Sequence, residues 1–591
     1  MRQDRTLHKD VRANALWGRR GESRSNALWG RSGKRSLVLL SLAAMLVVPV
    51  AGSAASGGTP GAPGAFVPSG LLGAARANPN QTFEVIVQTR GGKGSETAAA
   101  RIDAVRKEAP GHANGLGRRL NIIGGAAAQL TGAQIVDLAT KGNITAITPD
   151  APMAASDLTG TTSTSTCTTC PYEGTYWPWI TGVTGFWQKP GAKATPAPQA
   201  PAIAVVDSGI DASNTIFGGR VVKQVTLTQL ANNSSGDGYG HGTYVAGLAA
   251  GMVGNSWGGA SPTSKLVSLD VMNDQGMALT SDVIAAADWI YQNKDSYNIR
   301  VANFSLHSVQ RSSFMNDPLD KAVEKLWLSG VVVTTAAGNY ADNGQASGVR
   351  YAPANDPFVL TVGALDVNGT TSVSDDFNAP WSSFGYTPDG FAKPELGAPG
   401  RFMIGAVPLN STMPVTHADR VIATGFMRMS GTSFAAPIAA GAAADLLALH
   451  PSWTPDQAKG ALMVSAQPIS TSASASSSGV GELKLDAAAL VSSPPNPNAA
   501  LDKFLVADPN GGSTPIFDGA SWYAAATTNP SWDASTWNDA SWAGASWGEA
   551  SWGDASWVDA SASWGDASWG DASSSDASGG AASWAASTWV N

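Results

Sequence analysis

The rhythm of apolar positions changes twice along the chain. Leu37–Ala51 (LVLLSLAAMLVVPVA) is a predominantly apolar run directly after Lys34 and Arg35 and before the small residues Gly52–Ser56. Basic, apolar and small-residue regions in that order predict a secretory signal over 1–55, and about 15 apolar residues fall short of the roughly 20 that span a bilayer. Gly57–Asn80 is rich in Gly, Pro and Ala and reads as a linker. Phe83–Thr89 then alternates as a strand, and Glu96–Glu108 has helical spacing through Ile102 and Val105 until Pro110-Gly111 stops it. Strands at Arg119–Ile123 and Ala126–Leu130 follow. Thr131 and Gln134 form a capping-box signature for a second helix closing at Gly142, and Ile144–Thr148 is a last strand. The order β-α-β-β-α-β predicts a small α+β domain of ferredoxin-like type.

From about Tyr172 to Val491 the pattern becomes strand, helix, strand, helix. The apolar strands are Ala202–Val206, Leu266–Val271, Val301–Ser305, Val331–Ala336 and Phe358–Val362. Helices lie between them, such as Ser281–Asn293 with Thr280 as cap and Pro318–Ser329 with Asp317 as cap and Gly330 as stop. Near-continuous apolar strands separated by helices predict a mainly parallel sheet covered on both faces, an α/β fold with right-handed crossovers. Pro494–Pro497 breaks the pattern, and after Ala520 the chain becomes a Trp-bearing repeat. The expected organisation is a signal with a long basic region (1–55), a linker (56–80), the small domain (81–153) and a Ser/Thr-rich linker (154–175). The α/β domain (176–491), a second linker (492–520) and the acidic Trp-repeat tail (521–591) complete it.

Composition narrows the function. The 591 residues carry a net charge of −8, of which residues 1–36 contribute +7. Beyond Lys503 there are ten acidic and no basic residues, so the stretch 37–503 is mildly acidic. A body without a basic patch argues against nucleic acid as the main partner. Two cysteines exclude a disulfide-framed scaffold and an all-cysteine zinc site.

Three segments carry candidate chemistry. Ala202–Asp211 (AIAVVDSGID) ends a strand with Asp207. Gly240–Gly247 (GHGTYVAG) sets His241 between glycines at a helix start, and Gly431–Pro437 (GTSFAAP) sets Ser433 at the start of a helix of small residues. A strand-end Asp is commonly a turn residue and a Ser before a helix is commonly a cap. Together, in the order Asp, His, Ser on an α/β body, they match one of the known arrangements of the hydrolase triad. Over about Trp179–Leu490 the chain resembles the subtilisin-like serine proteases, the peptidase S8 family. Thr335–Asn339 (TAAGN), Tyr351–Asp366, Ser383-Phe384-Gly385 and Lys393–Gly400 (KPELGAPG) agree with that resemblance.

The resemblance implies a three-layer subtilisin-like fold and a serine endopeptidase acting on protein or peptide substrates. Ser433 would be the nucleophile, His241 its base and Asp207 the buried carboxylate that fixes the imidazole tautomer. Asn339 and the Ser433 N–H would line the oxyanion hole. Ser305, Leu306 and His307 on one strand, with Ala337 and Gly338 beside Asn339, are the implied substrate-binding residues. The small domain resembles the I9-type inhibitor prodomain of these proteases, which implies an intramolecular inhibitor and autocleavage between Pro152 and Thr175. No cofactor is needed for the chemistry; structural calcium is common in the family, but no carboxylate cluster in the sequence assigns ligands, and no metal residue is named.

The chain departs from the family at three places. Phe434 stands where Met usually follows the Ser, and Ile438 where His usually follows the Pro; neither position supplies a reacting group. His307 replaces a usual Gly. An imidazole there narrows the approach of a substrate backbone, contacts a substrate side chain or turns outward, and a changed P1 or P4 preference in His307→Gly separates the first two from the last. Cys167 and Cys170 (CTTC) lie in a Ser/Thr-rich stretch with no strand–helix context, so in an exported protein a local disulfide is expected. In the tail, Trp532, Trp537, Trp542, Trp547, Trp552 and Trp557 recur every five residues. That period gathers the indoles on one face of neither a helix nor a strand. A flexible acidic arm attaching the protein to a cell surface is the expected reading, with a β-solenoid as the competing one. The rival functions are a surface-binding protein with a vestigial protease body, and a nonproteolytic hydrolase using the same triad.

Overall fold

The computed structural model describes residues 64–528, apart from 92–93, 109–114, 157–175, 188–198, 254–256 and 470–476. The signal at 1–55, Cys167 and Cys170, and the regular Trp repeat from Trp532 onward lie outside the described residues.

The chain enters its small domain through a helix, α1 (Ser69–Ala77), inside the stretch expected to be a linker. Leu71 and Ala75 are fully buried there and join the small domain's own core with Val85, Ile102, Leu130 and Ile135. The domain continues as β1 (Thr82–Thr89), α2 (Ser95–Glu108), β2 (Gly115–Leu120), β3 (Gly125–Thr131), α3 (Gly132–Leu138) and β4 (Ile144–Pro149). Its sheet order is β2-β3-β1-β4 with antiparallel neighbours, the arrangement expected for the β-α-β-β-α-β order. Thr131 and Gln134 form the capping box of α3. The second strand ends at Leu120, earlier than the apolar pattern indicated, because Asn121–Ile123 turn away in a 3-10 helix ended by Gly124 at φ +62°. That turn places the Asn121 N–H on Asp288 of the large domain at 3.0 Å.

The large domain contains β6 (Ala202–Asp207), β7 (Val221–Thr226), α4 (His241–Ala250), β8 (Leu266–Asp270), β9 (Met277–Leu279) and α5 (Thr280–Tyr297). Next come β10 (Ile299–Phe304), β11 (Leu306–Ser308), α6 (Pro318–Leu328), β12 (Val332–Ala336) and β13 (Leu360–Asp366). Further on are β14 (Phe377–Asn378), β15 (Leu396–Pro399) and α7 (Thr432–Leu449). The central sheet runs β14-β13-β12-β10-β6-β8-β7, with β15 also pairing β13, and every pairing except β13–β14 is parallel. Strands β6 and β12 are buried along their whole length, as a sheet covered on both faces requires. Strand β7 escaped the sequence reading because its residues are alternately half-buried and exposed at the sheet edge. Asp317 caps α6 through its Oδ1, and Gly330 ends that segment at φ +96°.

One expected cap is different. Thr280 does not cap α5; its hydroxyl donates to the Ala151 carbonyl at 2.8 Å. The Asp150 carboxylate of the small domain takes the cap role, accepting the Ser281 N–H at 2.8 Å and the Ser281 hydroxyl at 2.6 Å.

The stretch 492–520, expected to be a linker, is packed onto the large domain. Ala500 and Leu501 are buried, and Leu505–Val506 pairs antiparallel with Ile516–Phe517. Trp522 is buried, with its ring centroid 5.2 Å from Phe314 and 5.4 Å from Phe391. Lys325 forms an ion pair with Asp508. The indole supplies enough apolar surface to hold a segment whose Pro- and Gly-rich composition suggested a bare connection.

Candidate active site

The C-terminal ends of β6 and β12 and the N-terminal ends of α4 and α7 converge on one point. Asp207 is the last residue of β6. Its Oδ1 accepts the Ser208 N–H and lies 2.8 Å from His241 Nδ1. Both side chains are fully buried. A carboxylate can only accept, so the ring proton sits on Nδ1 and Nε2 is left without one.

The turn carrying His241 is tied down by a buried carboxylate the sequence did not single out. Asp237 accepts the Gly240 N–H, the Thr243 N–H and the Ser208 hydroxyl at 2.7–2.8 Å. Burial pushes its carboxyl up to about 6. Gly242 must be glycine here: a Cβ would lie 2.0 Å from the Gly209 carbonyl oxygen and 3.2 Å from the Asp207 Cβ.

Ser433 stands on the first turn of α7. Its carbonyl accepts the Ser305 hydroxyl at 2.8 Å, and its own hydroxyl reaches the Ser305 carbonyl at 3.3 Å. Phe434 packs between Tyr244 and His241, with ring centroids at 4.4 and 5.4 Å. The larger ring in place of the usual Met thus braces the imidazole. Ile438 is fully buried on the same helix.

Asn339 is aimed by Thr432. The Thr432 N–H and hydroxyl both donate to Asn339 Oδ1, at 2.9 and 3.0 Å, while the Thr432 hydroxyl accepts the Gly338 N–H at 3.1 Å. With its oxygen so engaged, Asn339 turns its NH2 the other way. That group donates to the Ser156 carbonyl oxygen at 2.6 Å, and the Ser433 N–H donates to the same oxygen at 3.2 Å.

The chain reaches this point through β5 (Pro152–Ala155), which lies between β9 and β11, antiparallel to both. Leu306 faces Ala155, His307 faces Ala154, and the Ser156 N–H donates to the Ser305 carbonyl at 3.1 Å. The Ala337 N–H is used within the sheet, on Val362. Of the residues expected at the site, Leu306 and His307 therefore meet β5 and Ser305 meets Ser156, whereas Gly338 shares Thr432 with Asn339 and Ala337 is tied into the sheet. Ser156 is the residue that sequence reasoning missed: it lies at the edge of a Ser/Thr-rich stretch with no motif of its own. Among the described residues, no group of three or more His, Cys, Asp or Glu side chains is arranged to hold a metal ion.

A family model described as the Subtilase family matches residues 199–484. The chain is 36% identical over 265 residues to serine protease AprX of Bacillus subtilis (strain 168), covering 44% of this chain and 59% of that protein. It is 34% identical over 262 residues to a subtilisin of Bacillus pumilus, covering 44% of this chain and 80% of that protein. For the first of these, as for subtilisin amylosacchariticus at 58%, the match spans less than two thirds of the relative. Among solved structures, fervidolysin from Fervidobacterium pennivorans, a keratinolytic enzyme related to subtilisin, is similar with a TM-score of 0.53. That likeness covers 73% of this chain and 63% of the other at 22% identity, and it concerns the fold.

Proposed function

This chain belongs to the subtilase family, and from that premise we propose that it is a secreted serine endopeptidase made as an inhibited precursor. One observation carries the reading: the Ser156 carbonyl oxygen lies on the Ser433 N–H and the Asn339 amide together. An acyl-transfer site must hold its reacting carbonyl in that way. Ser433 Oγ adds to the carbonyl carbon while His241 takes its proton, and the oxygen, now negative, is held by those two donors. His241 then passes the proton to the leaving nitrogen, the C–N bond breaks, and the acyl-enzyme on Ser433 remains. Water, activated by His241, releases it as a carboxylic acid.

The first bond so cut is the chain's own, between Ser156 and Asp157. The small domain is then the inhibitor, leaving its new C-terminus in the site as a bound product. This reading narrows the interval 152–175 to one bond. The experiment is labelling with a fluorophosphonate probe, mapped by peptide mass spectrometry. Label on Ser433 is expected; an unlabelled protein after removal of the small domain would contradict the assignment.

The inhibitor's grip depends on pH. Three carboxyls buried between the domains titrate upward: Asp150 to about 7, Asp282 to about 6, and Asp288 in the same direction, all through loss of water. Asp282 also faces Arg118 at 3.1 Å, which opposes the rise. On release these groups return to water and to ordinary values near 4. The complex therefore holds more protons than the separated domains. It is tightest in acid and weakens as pH rises through about 6–7. Dissociation of the cleaved complex, followed by gel filtration, is expected to be at least about tenfold easier at pH 8 than at pH 5; tighter association at pH 8 would contradict this.

A further inference from the structure

Ser156 shows which side chain the site holds next to the reacting carbonyl. Residues directly opposite in an antiparallel pair share a face, and their neighbours take the other. Leu306 lies opposite Ala155 and His307 opposite Ala154. The pairing continues through the Ser156 N–H on Ser305, so Ser156 and His307 point to the same side.

His307 meets two further rings, Tyr340 and Tyr351. Tyr340 follows Asn339 and folds back over Gly338, where a Cβ would lie 2.2 Å from its ring. Its centroid is 4.9 Å from Tyr351 at an interplanar angle of 84° and 6.3 Å from His307. His307 and Tyr351 are 5.6 Å apart. Hydrogen bonds fix the group: Tyr340 Oη accepts the Arg350 N–H at 3.0 Å, and His307 Nδ1 reaches the Ser308 carbonyl at 2.9 Å. Burial pushes the His307 imidazole below its usual value, favouring the uncharged ring. Ser156 itself is 1% exposed, and its hydroxyl has no hydrogen-bond partner among the described residues. The side chain beside the reacting carbonyl is thus enclosed, and its hydroxyl is not recognised there by a hydrogen bond.

We propose that His307, Tyr340 and Tyr351 close the pocket for the residue preceding the cut, so that the enzyme cleaves after Ala, Ser or Gly and rejects bulky or charged residues there. This rests on the endopeptidase reading above and adds its substrate class.

The test uses fluorogenic amides of acetyl-Met-Ala-Ala-X, the sequence of residues 153–155 followed by a varied residue, with the processed protein. With X as Ala or Ser, kcat/KM is expected to exceed that for Phe, Lys or Glu by at least about tenfold. In His307→Gly, and separately in Tyr340→Ala, the Phe-to-Ala ratio is expected to rise by at least about tenfold. Equal turnover of Phe and Ala by the unaltered protein would overturn the proposal, and this comparison needs no variant to fold. An unchanged ratio in both variants would overturn it as well. Fluorophosphonate labelling of the same samples separates the two levels. Labelled protein without discrimination removes the closed pocket alone, whereas unlabelled protein removes the endopeptidase reading and the pocket with it.

Discussion

Ser433→Ala lowers kcat for a peptide amide by about 10⁶, the size of effect known for the nucleophile of subtilisin, a relative of this chain. The loss is this large because the triad acts as a unit. Without a hydroxyl to activate, the His241 base and its Asp207 partner have nothing to deliver, and only binding and the oxyanion donors remain. The variant also fails to cut its own Ser156–Asp157 bond, which would leave the site blocked by β5. Its residual rate is therefore read after that bond has been cut by immobilised unaltered protein, which is then taken away together with the small domain. A residual rate within about tenfold of the unaltered protein would show that Ser433 is not the nucleophile.

Asn339→Ala lowers kcat by about 10²–10³, again a size established in subtilisin, with KM nearly unchanged. The reason lies in where charge develops. The Asn339 amide lies 2.6 Å from the Ser156 carbonyl oxygen in the ground state, and the negative charge appears on that oxygen only as the tetrahedral intermediate forms. An interaction that strengthens at that moment affects kcat rather than binding. Thr432 fixes the amide's orientation with two hydrogen bonds to Oδ1, so little reorganisation is needed during the reaction. Steady-state kinetics on one peptide amide decide the matter. A raised KM with an unchanged kcat would show that Asn339 only binds substrate.

Much of this site could be read from the sequence because the chemistry demands local motifs. Asp207 must end a buried strand, His241 must begin a helix beside a glycine with no room for a Cβ, and Ser433 must open a helix of small residues packed in the core. What could not be read is supplied by parts distant in the chain. Asp150 caps α5 from 131 residues away, while the sequence offers Thr280 locally as an apparently sufficient cap. Asp237 and Thr432 fix the His241 turn and the Asn339 amide through hydrogen bonds that follow no periodicity. Trp522 is buried, although it opens a run of indoles whose spacing suits neither helix nor strand. Ser156 belongs to a segment defined only by the groove it fills.

The proposed inhibition and catalysis share one geometry for the same reason. β5 is held by strand pairing on both edges, and the small domain is anchored beyond it by Arg118 on Asp282 and Asn121 on Asp288. Cutting one bond leaves all of those contacts in place. On the proposed reading, escape of the small domain, rather than the first cut, sets the appearance of activity, and rising pH favours it.

The most direct measurement is the intact mass of the polypeptides obtained from the unaltered protein and from Ser433→Ala. The account predicts one fragment ending at Ser156 and another beginning at Asp157 in the former, and a chain continuous through that bond in the latter. A break at a different bond in the unaltered protein, or the same break in Ser433→Ala without added enzyme, would contradict it.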